Sequence, residues 1–153
     1  YVKTVCRNYD EAIHAYLKED FSPERIARWD SSLASVFNRG FWDGYYLGQR
    51  LGEWSANYGS LATHKKVYLG KATNYFPKIG VAEFVMETQN LAVGDDILIT
   101  GPTTGALDLK VDELRYELEP VQEVVKGQRF SLPVATKVRR NDKLFKMVAN
   151  TKK

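Results

Sequence analysis

The sequence predicts an α+β protein: two N-terminal helices, an aromatic connector, and then a small antiparallel β-barrel. Three observations lead there. Apolar residues recur at three-to-four spacing up to Phe37, then alternate from about His64 onward. Turn residues recur about every ten positions in the second part. No helical stretch separates the alternating segments, which argues against a parallel α/β sheet. The expected division is 1–60 for the helices and connector and 61–153 for the barrel.

The first helix is read from Val2, Val5, Cys6, Tyr9, Ile13, Tyr16 and Leu17, which fall on one face. Lys18-Glu19-Asp20 breaks the pattern. A second helix starts at Ser22-Pro23-Glu24: a capping hydroxyl, a proline suited to the first turn, and a carboxylate at the positive end. Ile26, Trp29, Leu33 and Phe37 continue it, and Gly40 is expected to end it. Arg39 to Ser60 is rich in glycine and aromatic residues, which disfavours a long regular helix. Its aromatic residues are expected to pack between elements or against a further domain. Strands are expected in Lys66–Thr73, "VAEFVME", "ILIT", "ALDLKVDELRY", "RFSLPVATKV" and "KLFKMVA".

Between the strands lies "NLAVGDDILITGPTTG", Asn90 to Gly105. A phosphate-cradling loop would need a Lys-Ser/Thr pair running into a helix. Here Gly105 is followed by "ALDLKV", which alternates as a strand does. Gly94 and Asp95 therefore read as a turn, with glycine free to take positive φ and aspartate able to accept from nearby amides. Gly101-Pro102 reads as the end of the next strand.

Composition bounds the function. The chain has 153 residues, 44% hydrophobic and 27% charged, as a globular protein does. It lacks a starting Met and a signal-like apolar segment, and is expected to be a piece of a longer protein. Its single cysteine, Cys6, rules out an internal disulfide and suits a cytoplasmic setting. Cys6 is expected to be a packed, inert thiol on the helix stripe. The net charge of +3 is uneven: residues 1–60 are about one negative and 61–153 about four positive. Lys137, Arg139, Arg140, Lys143 and Lys146 cluster near the C-terminus. They are the candidate RNA-binding residues, because clustered cations meet phosphates; a solvated basic end is the plainer alternative. His14 lies four residues after Asp10, which reads as a surface helix pair rather than a catalytic dyad, and His64 is expected to be exposed before Lys65-Lys66. No metal-ligand spacing is present, so no catalytic, cofactor or metal residue is assigned in this chain.

In order and spacing, "KKVYLG", "LAVGDDILITGP", "YVKTVCRNYDEAI" and "NRGFWDGYYLG" resemble the C-terminal region of the U32 peptidase family, the collagenase-like proteases. Val67, Gly70, Val93, Gly94, Asp95, Ile97, Gly101 and Pro102 carry the resemblance, which covers nearly the whole chain; Ala72 departs from it. The resemblance implies a barrel similar to domain 2 of translational GTPases. It also implies an enzymatic parent, either a peptidase or an RNA hydroxylation enzyme that uses prephenate on transfer RNA or acts on ribosomal RNA. Some members hold an iron–sulfur cluster on cysteines of an upstream catalytic domain. This chain is then a non-catalytic accessory domain that helps present RNA or protein to that domain. Its partners would be the upstream domain and transfer or ribosomal RNA. The alternative is a structural or protein-interaction module of a collagenase-like peptidase.

Overall fold

A proline at the start of one helix and glycines in the turns between strands set the main boundaries. The computed structural model describes residues 1–41, 48 and 60–150, so most of the expected aromatic connector lies outside the described residues. Two compact units emerge: Tyr1–Lys65 together with the segment from Ala149 onward, and Lys66–Val148.

The first unit is a helical hairpin. Helix α1 spans Val2–Leu17 and α2 spans Pro23–Ser35. Ser22 caps α2 by accepting from the Arg25 amide, and Pro23 occupies its first turn, where a missing N–H costs nothing. The helices meet through polar groups. Asn8 is buried; its Nδ2 donates to Thr4 O at 2.8 Å and to Ser32 Oγ at 2.9 Å. Glu11 accepts from Arg28 at 3.1 Å and from the Trp29 indole at 3.3 Å. Ala15 and Trp29 are the buried apolar members. The expected apolar stripe of α1 is therefore not what packs on α2, and Cys6 is exposed rather than packed. Beyond α2, Leu61 donates to Asn38 O at 2.7 Å, and Asn150 Nδ2 donates to Ala62 O at 2.8 Å.

The second unit is antiparallel β structure. Its strands are β1 (His64–Phe76), β2 (Val81–Met86), β3 (Leu91–Ala92), β4 (Asp96–Gly101) and β5 (Gly105–Lys110). They continue as β6 (Leu114–Tyr116), β7 (Glu119–Val121), β8 (Glu123–Val124), β9 (Arg129–Pro133) and β10 (Lys143–Ala149). Eight form one sheet in the order β5-β4-β10-β1-β2-β9-β6-β7, while β3 and β8 pair separately. The class is α+β as expected, but the ladder does not close into a barrel. After β5 the chain bonds to the Gly94–Asp95 turn: Val111 donates to Asp95 O and accepts from the Gly94 amide, at 2.9 and 2.7 Å. The edge strands β5 and β7 thus remain the two ends of the sheet. The strands of this unit still enclose one core, with Leu69, Phe84, Ile97, Ile99, Phe130 and Leu144 at its centre. Phe84 and Phe130 stack at 5.8 Å across the β2–β9 pair.

Alternation in β1 is broken. Leu69 and Ala72, expected on opposite faces, are both buried. The amides of Glu87 and Thr88 both donate to Leu69 O, and the β1–β2 register shifts between Ala72 and Asn74. Such bulges move the inward face by one residue. Gly70 permits the close approach there, since a Cβ would overlap the Val85 carbonyl oxygen.

Candidate functional site at the Gly101 and Asp142 turns

The most constrained polar group of the sheet unit is Asp142, which is 3% exposed. It sits just before β10, at the end of the "RRND" turn, where Asn141 takes φ 71°. One carboxylate oxygen, Oδ2, accepts from the Arg139 amide at 2.8 Å and from the Thr104 hydroxyl at 2.5 Å. The Asp142 backbone pairs with β1 as well: its carbonyl accepts from the Ala72 amide at 2.8 Å. The carboxylate thus ties two turns together, "GPTTG" and "RRND". Gly101 is part of the same arrangement, because a Cβ there would overlap Asp142 Oδ1. Its role is close approach, whereas Gly94 has a left-handed backbone, φ 94°, with no neighbour within 4 Å of its missing Cβ.

Thr100, Gly101, Pro102, Arg140, Asn141 and Lys143 line a shallow, solvent-open cleft over these turns. Of the candidate RNA-binding residues, Arg139, Arg140 and Lys143 are exposed around it, and Lys137 is exposed two residues before Arg139. The strand expected through "RFSLPVATKV" stops earlier, at Pro133, and Val134 to Asp142 is irregular, so Lys137 and Arg139 do not share a strand face. Arg139 donates to the Thr104 hydroxyl at 3.3 Å. Lys146 points elsewhere: it lies opposite Ile97 and its ammonium meets Asp95 Oδ2 at 2.6 Å. Asp95 also accepts from the Ala92 amide at 2.8 Å, so this carboxylate fixes its own turn and meets β10 through Lys146. A lysine three residues beyond Lys143 falls on the other face of a strand.

Charged groups elsewhere serve the scaffold in the same way. Tyr68 donates to Glu87 at 2.6 Å, and Lys71 pairs with Glu87 at 2.9 Å. Burial, with the Glu87 carboxylate beside it, pushes the Tyr68 phenol up to about 12. The hydrogen bond from Lys71, then that from Tyr68, holds Glu87 below the ordinary carboxylate range. The Glu11 carboxyl is lowered by the hydrogen bonds from Arg7 and Trp29. His14 faces Asp10, with Nδ1 at 2.8 Å from the Asp10 carbonyl, and exposed His64 faces Thr63 at 3.0 Å. Among the described residues, no group of three or more His, Cys, Asp or Glu is placed to hold a metal ion. No described helix is long and apolar enough to cross a membrane. The sequence reading missed Asp142 and Thr104. The available signal was the Asn-Asp pair just before a strand, a turn composition with no mark of its distant partner.

No family model matches the chain. It is 60% identical over 146 residues to a collagenase of Porphyromonas gingivalis, covering 95% of this chain and 35% of that protein. It is 27% identical over 148 residues to an uncharacterized protease of Methanocaldococcus jannaschii, covering 95% of this chain and 36% of that protein. The chain therefore spans roughly a third of the curated relatives it matches. Among solved structures, the C-terminal domain of a Geobacillus thermoleovorans protein described as a U32 peptidase superposes with TM-score 0.49. That match has 16% identity and covers 52% of this chain and 90% of that one. With its motifs in order and its relatives named as collagenase and protease, the chain resembles the C-terminal region of the U32 peptidase family over nearly its whole length.

Proposed function

We propose that this chain is a non-catalytic accessory region of a U32-family protein and helps present a macromolecular substrate to a catalytic domain elsewhere in that protein. The observation that carries the reading is the use made of Asp142. A buried carboxylate beside a cleft is a natural candidate for acid–base chemistry. Here its Oδ2 is occupied by the Arg139 amide and the Thr104 hydroxyl, and its role is to fix two turns. What the turns then offer to solvent is cationic: Arg140, Lys143 and nearby Lys137 are exposed, with Arg139 beside them. Such a surface meets a polyanion through its phosphates, weakly and without sequence preference. Transfer or ribosomal RNA fits that chemistry, and a prephenate-dependent RNA hydroxylation enzyme is the parent that would need it. A cytoplasmic setting accompanies this reading.

The relatives' names favour a second reading, in which the parent is a collagenase-like peptidase and this region braces it or binds protein. Filter binding of transfer RNA to the chain at two salt concentrations separates the two. The RNA reading expects a complex at low salt that weakens steeply as salt rises. It also expects Arg139→Ala with Arg140→Ala to flatten the log–log slope by about 0.7 for each single-strand phosphate that is no longer neutralised. No complex at the lower salt leaves the bracing reading. Turnover of gelatin or of transfer RNA by the pure chain, abolished by changing one of its own residues, overturns both.

A further inference from the structure

We propose that the apolar face of α1 is a docking surface for the rest of the longer protein that the accessory reading implies. The helix is amphipathic in the ordinary way but docks on α2 with its other side. It meets α2 through Asn8 and Glu11, and Ala15, on that same side, is buried. The stripe of Val2, Tyr9, Ile13, Tyr16 and Leu17 is left 58–73% exposed. Exposed Cys6 lies within this stripe. At 100° per residue, Val2, Cys6, Tyr9, Ile13 and Tyr16 span about 80°, under a quarter of the helix circumference. A contiguous apolar strip of this kind marks an interaction surface, because its exposure to water is unfavourable over its whole area.

The size of the strip favours an occupant on the same chain. Two tyrosines and three aliphatic side chains offer roughly 500 Å², less than the roughly 800 Å² per partner of a standard free-standing interface. A second copy pairing through this stripe alone would fall short. A covalently joined domain needs less, because linkage supplies an effective concentration in the millimolar range. Such material exists in the relatives: the matched region is 35% of the Porphyromonas gingivalis collagenase, so most of that protein lies outside it. The proposal rests on the accessory reading for the existence of the domain, and not on which substrate the parent takes.

Cys6 supplies the test, as the only cysteine of the chain. Maleimide labelling, resolved by peptide mass spectrometry, compares the 153-residue chain with the longer protein that carries it. Cys6 should react freely in the chain and at least about tenfold more slowly in the longer protein, where reaction requires local opening. Ile13→Asp in the longer protein should restore the fast rate, while the same change leaves the melt of the 153-residue chain unaltered. Equal rates in the two proteins overturn the proposal, as does protection that survives Ile13→Asp. Protection already present in the shorter chain overturns it too, and a rise with concentration then identifies a second copy as the occupant. A failure of the accessory reading would instead be seen as turnover by the shorter chain, which labelling does not detect.

Discussion

Replacing Gly101 with alanine should be far more damaging than replacing Gly94, although Gly94 alone of the two has a left-handed backbone. At Gly94, φ is 94° and the added methyl would meet nothing within 4 Å. The cost is backbone strain, about 1 kcal/mol or somewhat more. At Gly101 the methyl would overlap Asp142 Oδ1, and Asp142 has little freedom to give way. Its side chain is short, 3% exposed, and held by the Arg139 amide and the Thr104 hydroxyl. Displacing it strains or breaks two hydrogen bonds to a charged group, each worth about 1.5–3 kcal/mol. Gly101→Ala should therefore cost about 3 kcal/mol. In a sheet unit of this size that lowers the melting temperature by roughly 12 °C or more, against roughly 4–8 °C for Gly94→Ala. Denaturant titration and thermal melts of both variants measure this. Asp142→Ala provides the cycle: it removes the two bonds itself, so adding Gly101→Ala to it should cost less than about 1 kcal/mol more. Fully additive effects, or a Gly101→Ala melt as mild as that of Gly94→Ala, would refute the clamp.

Further outcomes are expected. Tyr68 stays protonated in the folded chain to about 12, whereas an unfolded tyrosine ionises near 10. Stability should therefore fall as pH rises through that interval, and the alkaline phenolate absorbance should lack its latest-titrating component in Tyr68→Phe. Glu87 has the opposite sign: its folded value is lowered, so its contribution is present above the ordinary carboxylate value and is lost as pH falls through the folded one. Glu87→Gln should flatten the acid side of a stability–pH curve, and an unchanged curve would count against the Lys71–Glu87 pair. Asn8→Ala removes the bonds to Thr4 and Ser32 and should loosen the helical hairpin by about 1–2 kcal/mol, seen as helical circular dichroism that fades earlier on heating. Lys146→Met should cost no more than about 1 kcal/mol, since the Asp95 partner keeps its Ala92 amide bond; a larger effect in denaturant titration would show that the pair holds the turn.

The local features were legible in the sequence because short-range chemistry sets them. Ser22 and Pro23 announce the start of α2, and the shift from helical to alternating period announces the sheet. Three of the shortest strands were not legible: β3, β7 and β8 are too short to show a period. The expected strand through "ALDLKVDELRY" is in fact β5 and β6, separated where Val111 bonds to Asp95. Which face of α1 packs was also undetermined. Periodicity identifies an apolar stripe, but not whether this chain or another supplies what covers it, and Cys6 went with the stripe to the surface.

At the candidate site, the sequence by itself determined the charge and the turn residues: the late cluster of Lys and Arg, Gly94, and the Gly101-Pro102 stop. Only the tertiary structure decided what each does. It sent Lys146 to Asp95, kept Arg140 and Lys143 at the cleft, and set Asp142 against Gly101, forty-one residues earlier in the chain. The reason is physical. A turn's backbone demand is met by its own residues, so it is written locally; a close approach between two turns depends on strand order, and β4 beside β10 is a long-range pairing that no local pattern specifies.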